Sequence, residues 1–116
     1  MNIWGGTGST YTGQLSVLEG TFSVASVNNN SANGVFGNSN LPVVLGSNGK
    51  TATLQYTAAA SPNTTKGVIL PLGSIGTFDI TGNAGTGPRI NGIISGSGSL
   101  VKTGIGLLSY GGDNTY

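Results

Sequence analysis

Apolar residues alternate with polar ones in short runs along most of the chain, and each run ends at Gly, Asn or Ser. Residues that alternate with a period of two lie on one face of a β-strand, so each run predicts a short strand with one buried face. No segment of helical length carries apolar residues at helical spacing, and 22 glycines interrupt the chain. The pattern therefore predicts an all-β domain without helices.

The alternation predicts about nine strands. They span residues 14–19, 21–27, 41–45, 51–57, 66–72, 77–81, 89–94, 99–102 and 107–110. The side chains predicted to point inward are Leu15, Val17, Phe22, Val24, Val27, Leu41, Val43, Leu45, Ala52, Leu54, Tyr56, Val68, Leu70 (or Ile69), Phe78, Ile80, Ile90, Ile94, Leu100, Leu108 and Tyr110.

Short strands at regular spacing occur in sandwiches, barrels and solenoids. The strands of this chain often offer only two apolar positions, which suits the narrow interior of a solenoid. The turns are rich in Asn, Ser and Gly, and both Asn and Gly tolerate left-handed backbone at corners. These features favour a β-solenoid over the other two architectures.

The two ends of the chain carry similar sequences. Residues 4–11 read WGGTGSTY and residues 110–116 read YGGDNTY, which match after deletion of one residue. Trp4 and Tyr110 are 106 residues apart, and Tyr11 and Tyr116 are 105 residues apart. We therefore predict that residues 1–116 form a single repeat unit that begins and ends at the same phase of a larger repeat.

Charge is scarce in this sequence, which excludes several functions. Only 6% of the residues are charged, the formal net charge is +1, and there is no His or Cys. The four cations, Lys50, Lys66, Arg89 and Lys102, are too few and too dispersed for the basic stripe that nucleic acids require. No apolar run is long enough to span a membrane or to serve as a signal peptide, so an export signal would have to lie elsewhere.

An enzymatic function is one possibility for a β-helix, because some β-helices cleave polysaccharides. Such sites need clustered carboxylates. This chain has only Glu19, Asp79 and Asp113, which are 60 and 34 positions apart. We therefore predict no catalytic residue, no metal site and no cofactor.

Residues 93–116 read IISGSGSLVKTGIGLLSYGGDNTY. This segment resembles the autotransporter-associated β-strand repeat, a family in which Ile-Ser-Gly-Ser-Gly precedes Leu, Lys-Thr-Gly, a glycine-led strand and Asn-Thr-Tyr. The family continues with Thr-Gly, a strand and Gly-Thr-Leu, and residues 12–22 are similar to that continuation. Tyr110 departs from the family, which usually has an aliphatic residue there, and residues 28–40 match poorly and resemble a loop.

The resemblance implies a right-handed parallel β-helix in an extracellular or bacterial cell-surface protein. Such repeats generally form stalks or scaffolds, sometimes adhesins, and the family carries no catalytic residues to transfer. Each turn of a solenoid pairs with the turns above and below it, so a unit with unprotected edges is expected to associate end to end. Neither terminus shows a capping helix or a cluster of edge Lys or Pro residues.

The first functional hypothesis is therefore a structural module of a fibre or surface stalk that stacks with further copies of itself, or with adjacent repeats of a parent chain. The end-to-end interface predicted for it consists of Trp4, Tyr11, Tyr110 and Tyr116, because aromatic residues anchor interfaces. Ordinary packing of these four residues within turns is the alternative interpretation, and the sequence favours neither.

The second hypothesis is an adhesive or ligand-binding module of a longer autotransporter-type surface protein, which would contact surface carbohydrate or another cell. It depends on a polar segment, residues 28–40, that is predicted to project from the solenoid as a loop. The residues predicted to be displayed by this loop are Asn28, Asn29, Asn30, Asn33 and Asn38.

Overall fold

The computed structural model describes residues 2–4, 14–29, 34, 36 and 40–112. These residues form twelve short strands, and no helix is found among them. The strands are β1 (Asn2–Trp4), β2 (Ser16–Val17), β3 (Gly20–Val24), β4 (Val43–Leu45), β5 (Thr51–Tyr56), β6 (Asn63–Thr64), β7 (Val68–Ile69), β8 (Ile75–Ile80), β9 (Arg89–Ile90), β10 (Ile94–Ser95), β11 (Ser99–Thr103) and β12 (Ser109–Tyr110).

The strands form three parallel sheets that the chain visits in rotation. Sheet A has the order β1-β3-β5-β8-β11, sheet B the order β2-β4-β7-β10, and sheet C the order β6-β9-β12. From β4 onward the chain runs through sheets B, A and C three times, which makes a β-solenoid of about three turns. Gln55, Asp79 and Thr103 hold the same position in successive turns, 24 residues apart. The predicted all-β parallel solenoid is confirmed.

The core is the narrow space that the three sheets enclose. Apolar side chains form columns through it, because equivalent residues of successive turns lie directly over one another. In sheet A, Phe22, Leu54 and Phe78 form one such column. The buried apolar residues are Val17, Phe22, Val24, Phe36, Val43, Leu45, Ala52, Leu54, Tyr56, Val68, Leu70, Phe78, Ile80, Ile90 and Ile94, with Leu15, Val27, Ala58, Leu100 and Leu108 packed partly against them.

Three details of the predicted strands are wrong. Leu41 is 50% exposed, because β4 begins only at Val43 and the alternation does not extend back to residue 41. The predicted strand 89–94 is two strands, β9 and β10, because the chain turns the corner from sheet C to sheet B between them. The strands β1 and β6 were not predicted, because three and two residues are too few to show an alternation.

The corners bring the backbones of neighbouring turns close together, and Gly96 shows why glycine is needed there. Gly96 has a φ of 106°, and a Cβ at this position would overlap the carbonyl oxygen of Leu70 in the preceding turn. We expect Gly96→Ala to lower the free energy of unfolding by about 2 kcal/mol, because the left-handed backbone and the overlap both penalise alanine. Urea unfolding followed by circular dichroism measures this change.

Gly85 provides the matched control. Its φ is 84°, but a Cβ there would meet no atom within 4 Å. Gly85→Ala should therefore lower the free energy of unfolding by only about 1 kcal/mol, the cost of placing alanine in left-handed backbone. Equal losses in the two variants would show that the contact between turns at Gly96 does not matter.

Candidate functional site

The turn formed by β10, β11 and β12 ends the described solenoid on one side. These strands are the outermost members of sheets B, A and C. Ile94, in β10, is fully buried, but the other inward-pointing residues of this turn, Leu100, Lys102, Leu108 and Tyr110, are exposed or only half-buried and have no further described turn over them. We call these four residues, with the strands β10, β11 and β12, the open end. The backbone of an outermost strand readily pairs with a strand of another chain.

Tyr110 was predicted both to point inward and to take part in an end-to-end interface. It continues a column of sheet C, over the buried residues Ile90 and Thr64. It is nevertheless 38% exposed, because it belongs to the last described turn. A partly exposed tyrosine at the end of a buried column is well placed to contact a further turn.

Of the other three predicted interface residues, the structure describes only one. Trp4 ends β1, the outermost strand of sheet A at the end of the solenoid opposite β11, where it pairs with Ser23. Tyr11 and Tyr116 lie outside the described residues. The structure thus places Trp4 and Tyr110 in outermost strands at opposite ends of the described solenoid and does not bring them together.

Trp4 and Tyr110, which match in the sequence comparison of the two ends, lie in different sheets. Trp4 belongs to sheet A, where its counterpart in the last turn is Thr103, whereas Tyr110 belongs to sheet C. Residues 5–11 and 113–116 of the matching segments lie outside the described residues, so the repeat unit of 105 to 106 residues stays a prediction.

Polar side chains bind successive turns together on the outer face of sheet A. The Ser23 hydroxyl donates to Oε1 of Gln55 at 2.9 Å, and Nε2 of Gln55 donates to Oδ2 of Asp79 at 3.0 Å. The Thr103 hydroxyl donates to the other oxygen, Oδ1, of Asp79 at 3.1 Å. Both carboxylate oxygens of Asp79 therefore accept hydrogen bonds within this ladder, which stabilises the stack of turns.

The segment that was predicted to project begins by packing against the solenoid. Asn28 is only 8% exposed, and its Oδ1 accepts a hydrogen bond from the backbone N–H of Phe36 at 2.7 Å. The hydroxyl of Thr64, in β6, donates to the backbone carbonyl of Asn28 at 2.5 Å. The display predicted for the Asn28 side chain is therefore corrected, because this side chain organises buried backbone.

Asn29 is exposed, but its Oδ1 accepts a hydrogen bond from the N–H of Thr65 at 3.0 Å. Asn28 and Asn29 thus lie beside β6 and extend sheet C by side-chain contacts. Asn30, Asn33 and Asn38 lie outside the described residues. Gly34 and Phe36, later in the same segment, are also buried, and Phe36 belongs to the core. The projecting loop therefore stays a prediction only for those residues of the segment that lie outside the described part of the chain.

Lys66 is a buried residue that the sequence analysis counted only as a dispersed cation. It is 2% exposed and follows β6, where its backbone N–H donates to the Thr64 hydroxyl at 3.1 Å. Its position could have been found, because Thr64, Lys66, Val68 and Leu70 alternate and all four are buried. Burial lowers the pKa of the Lys66 ammonium group, since the charged form loses hydration.

This pKa shift makes stability depend on pH. Between the lowered pKa of Lys66 and its ordinary value of about 10.4, the unfolded chain binds more protons than the folded chain, so the free energy of unfolding rises with pH. Burial raises the pKa of Tyr56, so above a pH of about 10 the unfolded chain loses a proton that the folded chain keeps, and stability falls.

Urea unfolding of the wild type and of Lys66→Met from neutral to alkaline pH tests this expectation. The variant should lack the rise and keep the fall, because it removes the buried amine and leaves Tyr56 in place. A rise of the same size in the variant would assign the pH dependence to another group.

Acidic residues are dispersed in the fold. Glu19 forms an exposed ion pair with Lys50 at 3.4 Å, Asp79 belongs to the outer ladder, and Asp113 lies outside the described residues. In the part of the chain that the structure describes, no group of three or more His, Cys, Asp and Glu side chains could hold a metal ion. The described carboxylates are thus placed for structural contacts.

A shallow groove of about 410 Å³ lies on the outer surface where sheets B and C meet. Gly67 lets the backbones of two turns approach closely beside the groove, because a Cβ there would crowd the carbonyl oxygen of Ile93. No charged side chain lines the groove, and its walls come from Asn40, Pro42, Thr65, Gly67, Ile69, Gly92, Ile93 and Ser95.

Comparison with models of protein families, with curated proteins and with solved structures finds no match to this chain. The resemblance to the autotransporter-associated repeat therefore depends on the sequence motif itself. Within the described residues, no helix is long and apolar enough to cross a membrane.

Proposed function

We propose that this chain is a structural β-solenoid module of an extracellular fibre or surface stalk, in which copies stack end to end. The observation that carries the proposal is the open end. Three parallel strands, β10, β11 and β12, are outermost in their sheets there, and the columns of the core reach Leu108 and Tyr110 without a further described turn over them.

The solenoid gives a physical reason for stacking. Each turn buries its apolar residues against the turn before and the turn after it, so the last turn gains stability from any further turn of matching shape. The two ends of the unit differ, with β1 and β2 at one end and β10, β11 and β12 at the other. Contact between unlike ends is heterologous, and a heterologous contact that does not close into a ring produces a fibre.

Three further parts of the proposal are that the chain is not an enzyme, that it binds no nucleic acid and that it is not inserted in a membrane. The dispersed carboxylates support the first part, and the four scattered cations support the second. The extracellular or bacterial cell-surface location is supported by the sequence motif of residues 93–116 and by the polar, weakly charged composition.

The variant Tyr110→Ala tests the proposed contact between stacked copies at the open end. Sedimentation velocity over a concentration series should show weaker association of this variant than of the wild type, because the aromatic ring at the open end is lost. Leu72→Ala is the control, since Leu72 is an exposed apolar residue between β7 and β8, in the turn that precedes the outermost one. Equal association of the wild type and both variants would remove Tyr110 from the interface.

A second proposal is an adhesive module of a longer surface protein that contacts surface carbohydrate or another cell. The polar segment 28–40 and the uncharged groove beside Asn40 support it. Replacing residues 30–33 by Gly-Ser-Gly-Ser should abolish binding to cells or glycans if this segment forms the contact. Unchanged binding by the altered chain would reject the proposal.

A further inference from the structure

One column of the core consists of apolar residues in the inner turns and ends in a charged residue at the open end. The register of sheet A places Phe22, Leu54, Phe78 and Lys102 over one another. The first three side chains are 2%, 5% and 1% exposed. Lys102 therefore stands where the three preceding turns have large apolar side chains.

The Lys102 side chain is exposed, and its Nζ donates to the backbone carbonyl of Gly104 at 2.7 Å. The ion pair found among the described residues joins Lys50 and Glu19, so no described carboxylate neutralises Lys102. The other inward-pointing residues of the open end, Leu100, Leu108 and Tyr110, are apolar or aromatic. The open end is thus an apolar surface with one positive charge in it.

A further turn over β11 would cover this charge. If a second copy continued the register of sheet A, its β1 would pair with β11, and its Ile3 would pair with Lys102, because the backbone register runs from Ile3 through Phe22, Leu54 and Phe78 to Lys102. Removing an ammonium group from water beside an aliphatic side chain is costly when no carboxylate compensates it. An inward-pointing charge on an outermost strand is also a known means of preventing strand-to-strand association.

We propose that Lys102 limits the addition of a second copy at the open end. The lysine makes stacking through β11 weaker than the packing between turns inside the unit, so the association of copies stays reversible. This inference rests on the proposed function, because it assigns the second copy as the occupant of the open end. The sequence shows no cluster of edge lysines at either terminus, but this single lysine lies in the outermost strand of sheet A.

Association of Lys102→Leu tests the inference. Light scattering and sedimentation velocity at neutral pH and constant salt should show half-maximal association at about a tenfold lower concentration than for the wild type, a factor that corresponds to about 1.4 kcal/mol. Lys102→Glu should associate no more readily than the wild type, because it keeps a charge in the column. Lys50→Leu is the matched control, since it removes an exposed lysine outside the open end and should leave association unchanged.

The outcomes separate this inference from the proposed function. If the wild type forms filaments and Lys102→Leu does so at the same concentration, the inference fails and the function stands. If neither associates at any concentration tested, both fail. If only Lys102→Leu associates, the inference holds, and the proposal that the wild type stacks with its own copies fails. Circular dichroism confirms folding, and Lys102→Met, which keeps a linear side chain, takes the place of the leucine variant if that variant unfolds.

Discussion

Phe78→Ala should lower the free energy of unfolding by about 3–5 kcal/mol, the largest loss expected from truncating one side chain of this solenoid. Phe78 is 1% exposed and lies in β8, between β5 and β11 in sheet A. Its ring packs in the column between Leu54 and Lys102, so the backbone of three turns would have to move to fill the cavity. Small domains have only about 5–15 kcal/mol of stability, so the variant is expected to be partly unfolded at 37 °C.

Urea unfolding followed by circular dichroism measures this loss, with two reference variants. Phe78→Leu should cost about 1 kcal/mol, because it keeps most of the buried volume. Thr77→Ala changes the neighbouring residue, whose side chain is outside the core, and should cost less than 1 kcal/mol, about what strand propensity predicts. A loss for Phe78→Ala no larger than that for Thr77→Ala would contradict the assignment of Phe78 to the core.

Asn28→Ala should lower the free energy of unfolding by about 3 kcal/mol, the second largest effect. The substitution removes Oδ1, which accepts the N–H of Phe36, and leaves that N–H buried without this acceptor. It also opens space beside Gly34, which packs directly against the Asn28 side chain. The change should therefore loosen the segment that lies beside β6.

Asn29→Ala is the matched control, because it makes the same chemical change one residue later. Asn29 is exposed, so water can replace its bond to the N–H of Thr65, and the loss should be about 0.5 kcal/mol. Hydrogen exchange at Thr64 and Thr65 would locate the damage. A smaller loss for Asn28→Ala than for Asn29→Ala would show that the buried asparagine does not organise this part of sheet C.

The alternation of residue types predicted the interior of the solenoid well where strands are long. In β5, Ala52, Leu54 and Tyr56 are all buried, as the period of two requires. The same rule failed at Leu41, because alternation does not show where a strand begins. It also missed β6, whose pairing with β9 is set by residues of another turn and leaves no trace in local hydrophobicity.

The buried polar residues could be predicted only in part. Thr64 donates to Asn28, which is 36 residues earlier in the chain, and no local pattern encodes that contact. The outer ladder of Ser23, Gln55 and Asp79 could not be predicted for the same reason. These residues come within hydrogen-bonding distance only when successive turns lie in register. Lys66, by contrast, alternates with Val68 and Leu70, so its burial could have been found from the sequence.

The end-to-end interface that the sequence predicts stays a prediction. The sequence indicated unprotected ends and an aromatic residue at each, and the structure places Tyr110 at the open end. Lys102 alternates with Leu100 and so shares its inward direction, a signal in the sequence that was not part of the prediction. The effect of Lys102 on association depends on which strand of sheet A is outermost. The sequence of a single strand does not reveal this.

The most direct measurement is negative-stain electron microscopy of the purified chain, with light scattering on the same samples over a concentration series. The account predicts long, thin, unbranched filaments whose amount grows with concentration and shrinks on dilution, since stacking through the open end is reversible. A monomer at every concentration, with no filaments on the grid, would contradict the claim that this solenoid unit stacks end to end with its own copies.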